Sequence, residues 1–308
     1  MGNFNTDLLR EFNFHFKKGK SKSIINMDYS LSKPFEFQIQ RFEDAVEIFG
    51  GSIPLTRFSH YYVAIVISGR GVKTIGLTEF KVIPNSIMFV PSGIINSSHS
   101  FTPDIKGFIV SFNADFLLLS CTNKKFLFDL PFFKTESRPY LYLNDTDCNS
   151  LLNIFQNIAN EYLNNQKNKE ELIRLYILEL LIKCERIYNR QVINQIDSDK
   201  STIRIVNEFK RLLENHFLEK KNVSFYAKQI AVHPNYLNAT VKNITGKTCS
   251  RLIHDRIILE AKCLLQSTNM TIKEIASYLS FDDNSYFSKY FKKMTNVNPL
   301  DYRNGCNI

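Results

Sequence analysis

The 308-residue sequence predicts an α+β protein: a β-rich N-terminal part, a helical extension, and an all-α C-terminal third. Three observations predict it. Between about Pro34 and Phe112, short apolar runs alternate with turn residues. From about Asp147 the apolar period lengthens to that of a helix. The excess positive charge, finally, gathers at the C-terminal end. An apolar fraction of 44% and an aromatic fraction of 13% suit a folded chain and exclude a disordered one. No window holds 18 uninterrupted apolar residues, so no membrane partner is expected. The N-terminus lacks the apolar stretch of a signal peptide. Met1 to Thr6 fits the myristoylation pattern, but so few fixed positions match often by chance, and no lipid anchor is expected.

In the β-rich part, Phe35, Phe37 and Ile39 alternate with polar neighbours, and Tyr61–Ile67 reads as a strand buried on both faces. Ser68-Gly69-Arg70-Gly71, Pro84-Asn85 and Pro91-Ser92-Gly93 punctuate the runs as turns. Many short strands with tight turns imply a sandwich or small barrel. Next, Leu151, Leu152, Phe155, Ile158, Ala159 and Tyr162 make one helical stripe, while Leu172, Leu175, Tyr176, Glu179, Leu180 and Lys183 suggest a second helix with a mixed face. The segment from Asn189 to Lys200 is polar and reads as a linker. The divisions expected are 1–146, a β-rich domain; 147–190, a helical extension; 191–200, a linker; and 201–305, a helical domain. Six scattered cysteines without a C-x-x-C pair predict reduced, mostly buried thiols.

Helix signals recur through the last third, at Ser201–Leu218, Ser224–Ile230, Pro234–Ile244, Thr248–Gln266, Thr271–Leu279 and Asn284–Met294, with a final turn from Pro299. Thr271 and Glu274 form a capping box, with Met270 and Ile275 as its hydrophobic staple. His233-Pro234 and Asn298-Pro299 each place proline at a first helical position, and Gly246 supplies a stop. A loose repeat emerges. Ala227, Val232, Tyr236, Leu237, Val241 and Lys242 recur as Ala276, Phe281, Tyr286, Phe287, Phe291 and Lys292, offset by 49 or 50 positions. Each copy is a short helix, a turn and a second helix, the helix-turn-helix arrangement.

Within the second helices, Leu237 with Val241 and Phe287 with Phe291 stand four apart and must face a core. The opposite faces then hold Asn235, Asn238, Ala239 and Lys242 in the first copy, and Asn284, Ser285, Ser288, Lys289 and Lys292 in the second. Amides, hydroxyls and ammonium groups are the groups that read base edges in a major groove. Charge agrees: residues 200–308 carry 17 Lys and Arg against 9 Asp and Glu, whereas residues 1–199 carry 22 against 21. Such segregation is the footprint of a module that meets a polyanion. The helix Thr248–Gln266, roughly 28 Å long at ~1.5 Å per residue, can hold two reading helices in grooves roughly 34 Å apart. Its apolar stripe of Leu252, Ile253, Ile257, Ala261, Leu264 and Leu265 packs on both units.

Residues 201–303 resemble the DNA-binding domain of AraC/XylS-type regulators. The likeness runs through Tyr226-Ala-Lys-Gln-Ile-Ala-Val-His-Pro-Asn-Tyr-Leu237, Gly246-Lys247, Arg256 with Glu260-Ala261-Lys262, and Leu264-Leu265. It continues through Ile275-Ala276, the run from Phe281 through Tyr286-Phe287-Ser288-Lys289 to Phe291-Lys292-Lys293, and Pro299 with Tyr302-Arg303. Three residues depart from the family pattern. Ser280 and Asn296 stand where glycines are usual, and Ala239 where a long polar side chain is. The resemblance implies a sequence-specific DNA-binding transcription regulator, read as an activator, located in the cytoplasm. Asn235, Asn238, Ala239, Asn284, Ser285, Ser288 and Lys289 are the expected base-reading positions, Ala239 offering only a methyl group to thymine. Lys242, Lys292 and Lys293 are expected on phosphates, adding affinity and salt dependence rather than sequence preference.

The same resemblance implies an N-terminal domain that senses a ligand or mediates dimerisation. The segment Tyr61–Pro91 resembles a cupin-like β-barrel, which sets the fold class: a cupin-like barrel with a helical extension, then an all-α double helix-turn-helix domain. Metal-binding cupins carry a His-x-His with a nearby Glu, and here only His60 and His99 fall in the region, so no metal or other cofactor is expected. Tyr62, Phe80, Phe89, Phe108 and Phe112 either line an effector pocket or fill the core. Residues 147–190 either supply a homodimer interface or pack on the barrel. The expected partners are double-stranded DNA, RNA polymerase, a small-molecule effector and a second copy of the chain. A cupin-type enzyme with an incidental helical tail is the competing class, and the lack of any Ser/His/Asp or Cys/His arrangement argues against catalytic residues. A degenerate, non-binding helix-turn-helix protein is the third.

Overall fold

A computed structural model describes residues 36–123, 125–164, 166–193 and 200–305. The Met1–Thr6 pattern, Phe35, most of the expected linker (194–199) and Cys306 lie outside the described residues. Nine strands form the N-terminal part: β1 Phe37–Arg41, β2 Ile53–Arg57, β3 Tyr61–Ser68, β4 Gly71–Ile75, β5 Thr78–Val82, β6 Ser86–Val90, β7 Ile95–His99, β8 Lys106–Phe112 and β9 Tyr140–Tyr142. They make two antiparallel sheets, β1-β8-β3-β6-β9 and β2-β7-β4-β5. The turn between β3 and β4 is tight. Gly69 lies at φ +81°, and a Cβ there would come within 2.4 Å of the Ile105 Cα.

The unbroken apolar run of β3 has a physical cause, because both faces of the five-stranded sheet are covered. Tyr62, Ala64 and Val66 meet Ile75, Phe80 and Val82 of the other sheet inside the barrel. On the reverse face Tyr61 stacks on Phe112, Phe89 stacks on Phe132 at 3.9 Å between ring centres, and Phe108 meets Phe155. Of the five aromatics that could line a pocket, Tyr62 and Phe80 therefore face the interior, while Phe89, Phe108 and Phe112 are outer-face packing.

Helices α1 Phe42–Ile48, α2 Ala114–Leu118 and α3 Phe126–Asp129, with a 3-10 turn Pro131–Phe133, decorate the barrel. Two longer helices follow, α4 Asp145–Leu163 and α5 Lys169–Ile193. Helix α4 buries Leu151, Leu152, Phe155, Ile158 and Ala159, the stripe its period predicts. Helix α5 turns differently from expectation. Its buried side is Ile173, Ile177, Leu180, Leu181 and Cys184, and Leu172 and Leu175 face outward. The Ile173 set is the more continuous apolar line at helical spacing, and it packs against α4. This helix runs on to Ile193, three residues into the segment expected to link.

Seven helices complete the chain: α6 Lys200–His216, α7 Val223–Ile230, α8 Pro234–Thr245, α9 Cys249–Ser267, α10 Ile272–Tyr278, α11 Asn284–Thr295 and α12 Pro299–Arg303. A second core gathers Phe209, Tyr226, Leu237, Ile253, Phe287 and Phe291 among others. Leu77, at the tip of the β4–β5 hairpin, packs against this helical core. Helix α9 also meets β2. There Glu260, 1% exposed, accepts from Arg57 of the barrel at 2.6 Å and from Arg256 at 3.0 Å, and Arg256 donates to Glu214 at 2.8 Å.

No helix among the described residues is long and apolar enough to cross a membrane. The five described cysteines are buried, and no disulfide joins any two of them. Among the described residues no cluster of His, Cys, Asp and Glu could hold a metal ion. His60 stacks on Phe58, and its burial pulls the imidazole down to about 4, whereas His99 is exposed beside Ser100.

Candidate nucleic-acid interface

The repeat seen in the sequence is a repeat of backbone geometry. Helix α7 ends at Ala231 (φ 59°) and the turn after α10 at Ser280 (φ 54°), both left-handed. The next amides close the same bond, Val232 N–H to Ala227 O at 3.0 Å and Phe281 N–H to Ala276 O at 2.9 Å. Helices α8 and α11 end alike, on Gly246 (φ 73°) and Asn296 (φ 65°). Beside them Thr245 and Thr295 donate their hydroxyls to the carbonyls of Val241 and Phe291. Gly246 has no Cβ to object and asparagine tolerates this region, so Asn296 is a mild departure. Ser280 occupies a conformation that costs a residue with a Cβ roughly 1–2 kcal/mol.

The reading helices start on side-chain caps. The His233 ring accepts from the Asn235 N–H, and the Asp283 carboxylate accepts from the amides of Ser285 and Tyr286. Thr271 and Glu274 close the predicted capping box on α10. Leu237, Val241, Phe287 and Phe291 are buried, which fixes the rotation of both helices. At 3.6 residues per turn, Asn235, Ala239 and Lys242 then lie on the outward crest of α8, as Ser285, Lys289 and Lys292 do on α11. All six are exposed, as are Asn284 and Lys293. No carboxylate among the described residues lies within 4 Å of the ammonium groups of Lys242, Lys289, Lys292 or Lys293. By contrast Lys247 and Arg251 are both paired with Asp255 at 2.8 Å.

Two expected readers already hold a bond within the fold. Asn238 is half-buried, and its Oδ1 accepts the Cys249 N–H at 3.0 Å, tying the middle of α8 to the start of α9. Ser288 is likewise half-buried and donates its hydroxyl to the Asn284 carbonyl at 2.9 Å. Each sits on the side of its helix nearer the core, which a stripe read by residue type alone does not resolve. Sequence reasoning also passed over Asn243, which the offset of 50 equates with Lys293, and the exposed Tyr236 and Tyr286. The repeat itself was the signal that could have found them.

The 19-residue helix α9 joins the two units, about 28 Å long at ~1.5 Å per residue. It is held firmly. Leu252, Ile253, Ile257, Ala261 and Leu265 are buried along it. His254 meets the Tyr290 hydroxyl of α11 at 2.7 Å, and burial, then Arg251, lowers the His254 pKa. Lys221, ahead of α7, donates to the Ser280 carbonyl at 2.6 Å and lies over the Phe281 ring, so it braces the turn of the second unit from the first.

Two stretches of the chain match known protein families. Residues 226–305 match the helix-turn-helix domain family, and residues 61–194 match the ExsA N-terminal regulatory domain. Over 35% of its length the chain is 32% identical to 37% of the HTH-type transcriptional regulator YisR of Bacillus subtilis. Over 44% it is 28% identical to 47% of the arabinose operon regulatory protein of Salmonella typhimurium. These matches span less than half of either relative. The solved structure of ToxT from Vibrio cholerae aligns over 87% of this chain and 98% of its own, at 15% identity and a TM-score of 0.41. With a stretch like the ExsA N-terminal regulatory domain followed by one like the helix-turn-helix domain, the chain is similar in layout to regulators of the AraC/XylS type.

Proposed function

We propose that this chain is a sequence-specific DNA-binding transcription regulator, of the activating kind, that lays α8 and α11 in successive major grooves of one duplex. The observation that carries the reading is the doubled unit, whose two outward crests bear amide, hydroxyl and unpaired ammonium groups. In this reading Asn235, Asn284, Ser285 and Lys289 meet base edges, and Ala239 offers its methyl group to thymine. Asn238 and Ser288 flank these crests, Asn238 holding the start of α9 through Oδ1 and Ser288 bonded to its own helix. Lys242, Lys292 and Lys293 neutralise phosphates.

The reading extends to the rest of the chain: residues 1–146 as sensor, 147–190 as a helical extension with a homodimer interface, 191–200 as linker and 201–305 as reader. A small-molecule effector acting through the sensor, contact with RNA polymerase, a cytoplasmic location and the lack of enzymatic activity belong to the same proposal. Its support is the likeness to the ExsA N-terminal regulatory domain and to the helix-turn-helix domain family. The test is a fluorescence-anisotropy titration of the full chain with a duplex from its own promoter region and with a scrambled duplex, across a salt series. Three phosphate-neutralising lysines imply a log–log salt slope of about −2.7. Absence of binding, or salt-steep binding indifferent to sequence, overturns the proposal.

A further inference from the structure

We infer that Tyr236 and Tyr286 clamp the duplex backbone, each donating its phenolic O–H to a phosphate oxygen on one wall of the groove that its helix enters. The inference rests on the DNA-binding reading above. The two tyrosines occupy the same place in α8 and α11, 50 residues apart. They keep 48% and 61% of their surface in solvent, in a domain whose Tyr226, Phe287 and Phe291 are buried. Neither hydroxyl has a hydrogen-bond partner among the described residues. Tyr226, in contrast, donates to the Lys220 carbonyl at 2.7 Å, and Tyr290 pairs with His254.

Rotation about the helix axis assigns the contact. One residue turns the helix by about 100°, so a position just ahead of buried Leu237 or Phe287 lies on the flank, not the crest. The crest belongs to Asn235 and Ala239 in one helix and to Ser285 and Lys289 in the other. In a helix seated in a groove the crest meets base edges and the flank meets the sugar–phosphate wall. Lys293, seven positions beyond Tyr286, occupies the same flank with an unpaired ammonium group, which marks that side for an anion. A phenol there brings a neutral donor on a rigid ring, ordered at small entropic cost. Phosphate contacts of this kind set register without reading sequence. Two of them, on helices held by one connector, set both registers together.

The test uses the full chain and a duplex selected by the wild-type protein from a randomised pool. Tyr236→Phe and Tyr286→Phe keep the rings and, with the hydroxyls unpartnered in the fold, leave the thermal midpoint unchanged. Each substitution is expected to weaken binding roughly tenfold, as loss of a hydrogen bond to a charged group does. The same factor is expected on selected and scrambled duplexes, with the salt slope untouched because no charge is removed. Replacing phosphates one at a time by methylphosphonate lowers wild-type affinity at one position to the level of the Phe variant, which is itself indifferent to that replacement. Phe variants that bind as the wild type does overturn the clamp, and so does a Phe variant with altered base preference. A wild-type chain that binds no duplex at all overturns the DNA-binding reading beneath it instead.

Discussion

Replacing Lys73 by methionine should stabilise the protein and remove much of its pH dependence above neutrality. Lys73 is 1% exposed inside the barrel. Its ammonium donates to Asn96 Oδ1 at 2.7 Å and stands 5.2 Å from the Tyr62 ring centre, with no carboxylate in salt-bridge range among the described residues. Burial pulls its pKa from 10.5 down to about 7. At about 1.4 kcal/mol per unit, that depression corresponds to roughly 5 kcal/mol of destabilisation once pH is below 7 and about 4 kcal/mol at pH 7. Between the two values the unfolded chain holds the proton more tightly than the folded one, so stability rises with pH through this window. Methionine keeps the length of the side chain and removes the charge. It also leaves Asn96 Oδ1 without its donor, a loss of about 1–3 kcal/mol. The net expectation at pH 7 is a gain of roughly 1–3 kcal/mol. Urea unfolding of both proteins from pH 6.5 to pH 9.5 measures it, because titrations elsewhere in the chain cancel in the difference. The gap should shrink steadily as pH rises. Parallel curves, or a variant less stable at pH 7, would refute the reasoning.

Ser280→Gly should raise the unfolding free energy by about 1 kcal/mol, by relieving the left-handed turn after α10, and unchanged or lower stability would count against that strain. Lys292→Ala should weaken all duplexes alike and reduce the salt slope by about 0.9, while Lys289→Ala should lose discrimination at one base position; identical behaviour of the two in binding titrations contradicts their assigned roles. Glu260→Ala leaves buried Arg256 with one carboxylate fewer and frees Arg57, so a loss of roughly 3–5 kcal/mol is expected in denaturant unfolding, and a change under 1 kcal/mol would show that the network contributes little.

Much of the candidate interface was legible because it is governed locally. Capping boxes, proline at a first helical position and the spacing of Leu237, Val241, Phe287 and Phe291 act within a turn or two, so residue order alone exposed the doubled unit. The phase of a helix with two plausible faces was not legible. In α5 the choice fell to Ile173 and Ile177, and the outward Leu172 and Leu175 look equally apolar in the sequence. Asn238 and Ser288 share the composition of the other expected readers, yet a bond to Cys249 or to the preceding turn engages them. Residue type names what a side chain is able to do, and neighbours decide whether it is free to do it.

By itself the sequence determined the element order, the helix ends, the repeat of about 50 residues and the basic C-terminal third, since each depends on bonds or charges close along the chain. Only the tertiary structure decided that Leu77 of a hairpin packs on the helical core and that Lys73 sits inside the barrel on Asn96. It alone brought Arg57 onto Glu260, 203 residues away. Contacts of that separation are selected by how two buried surfaces fit, and no rule that acts between near neighbours carries information about the fit.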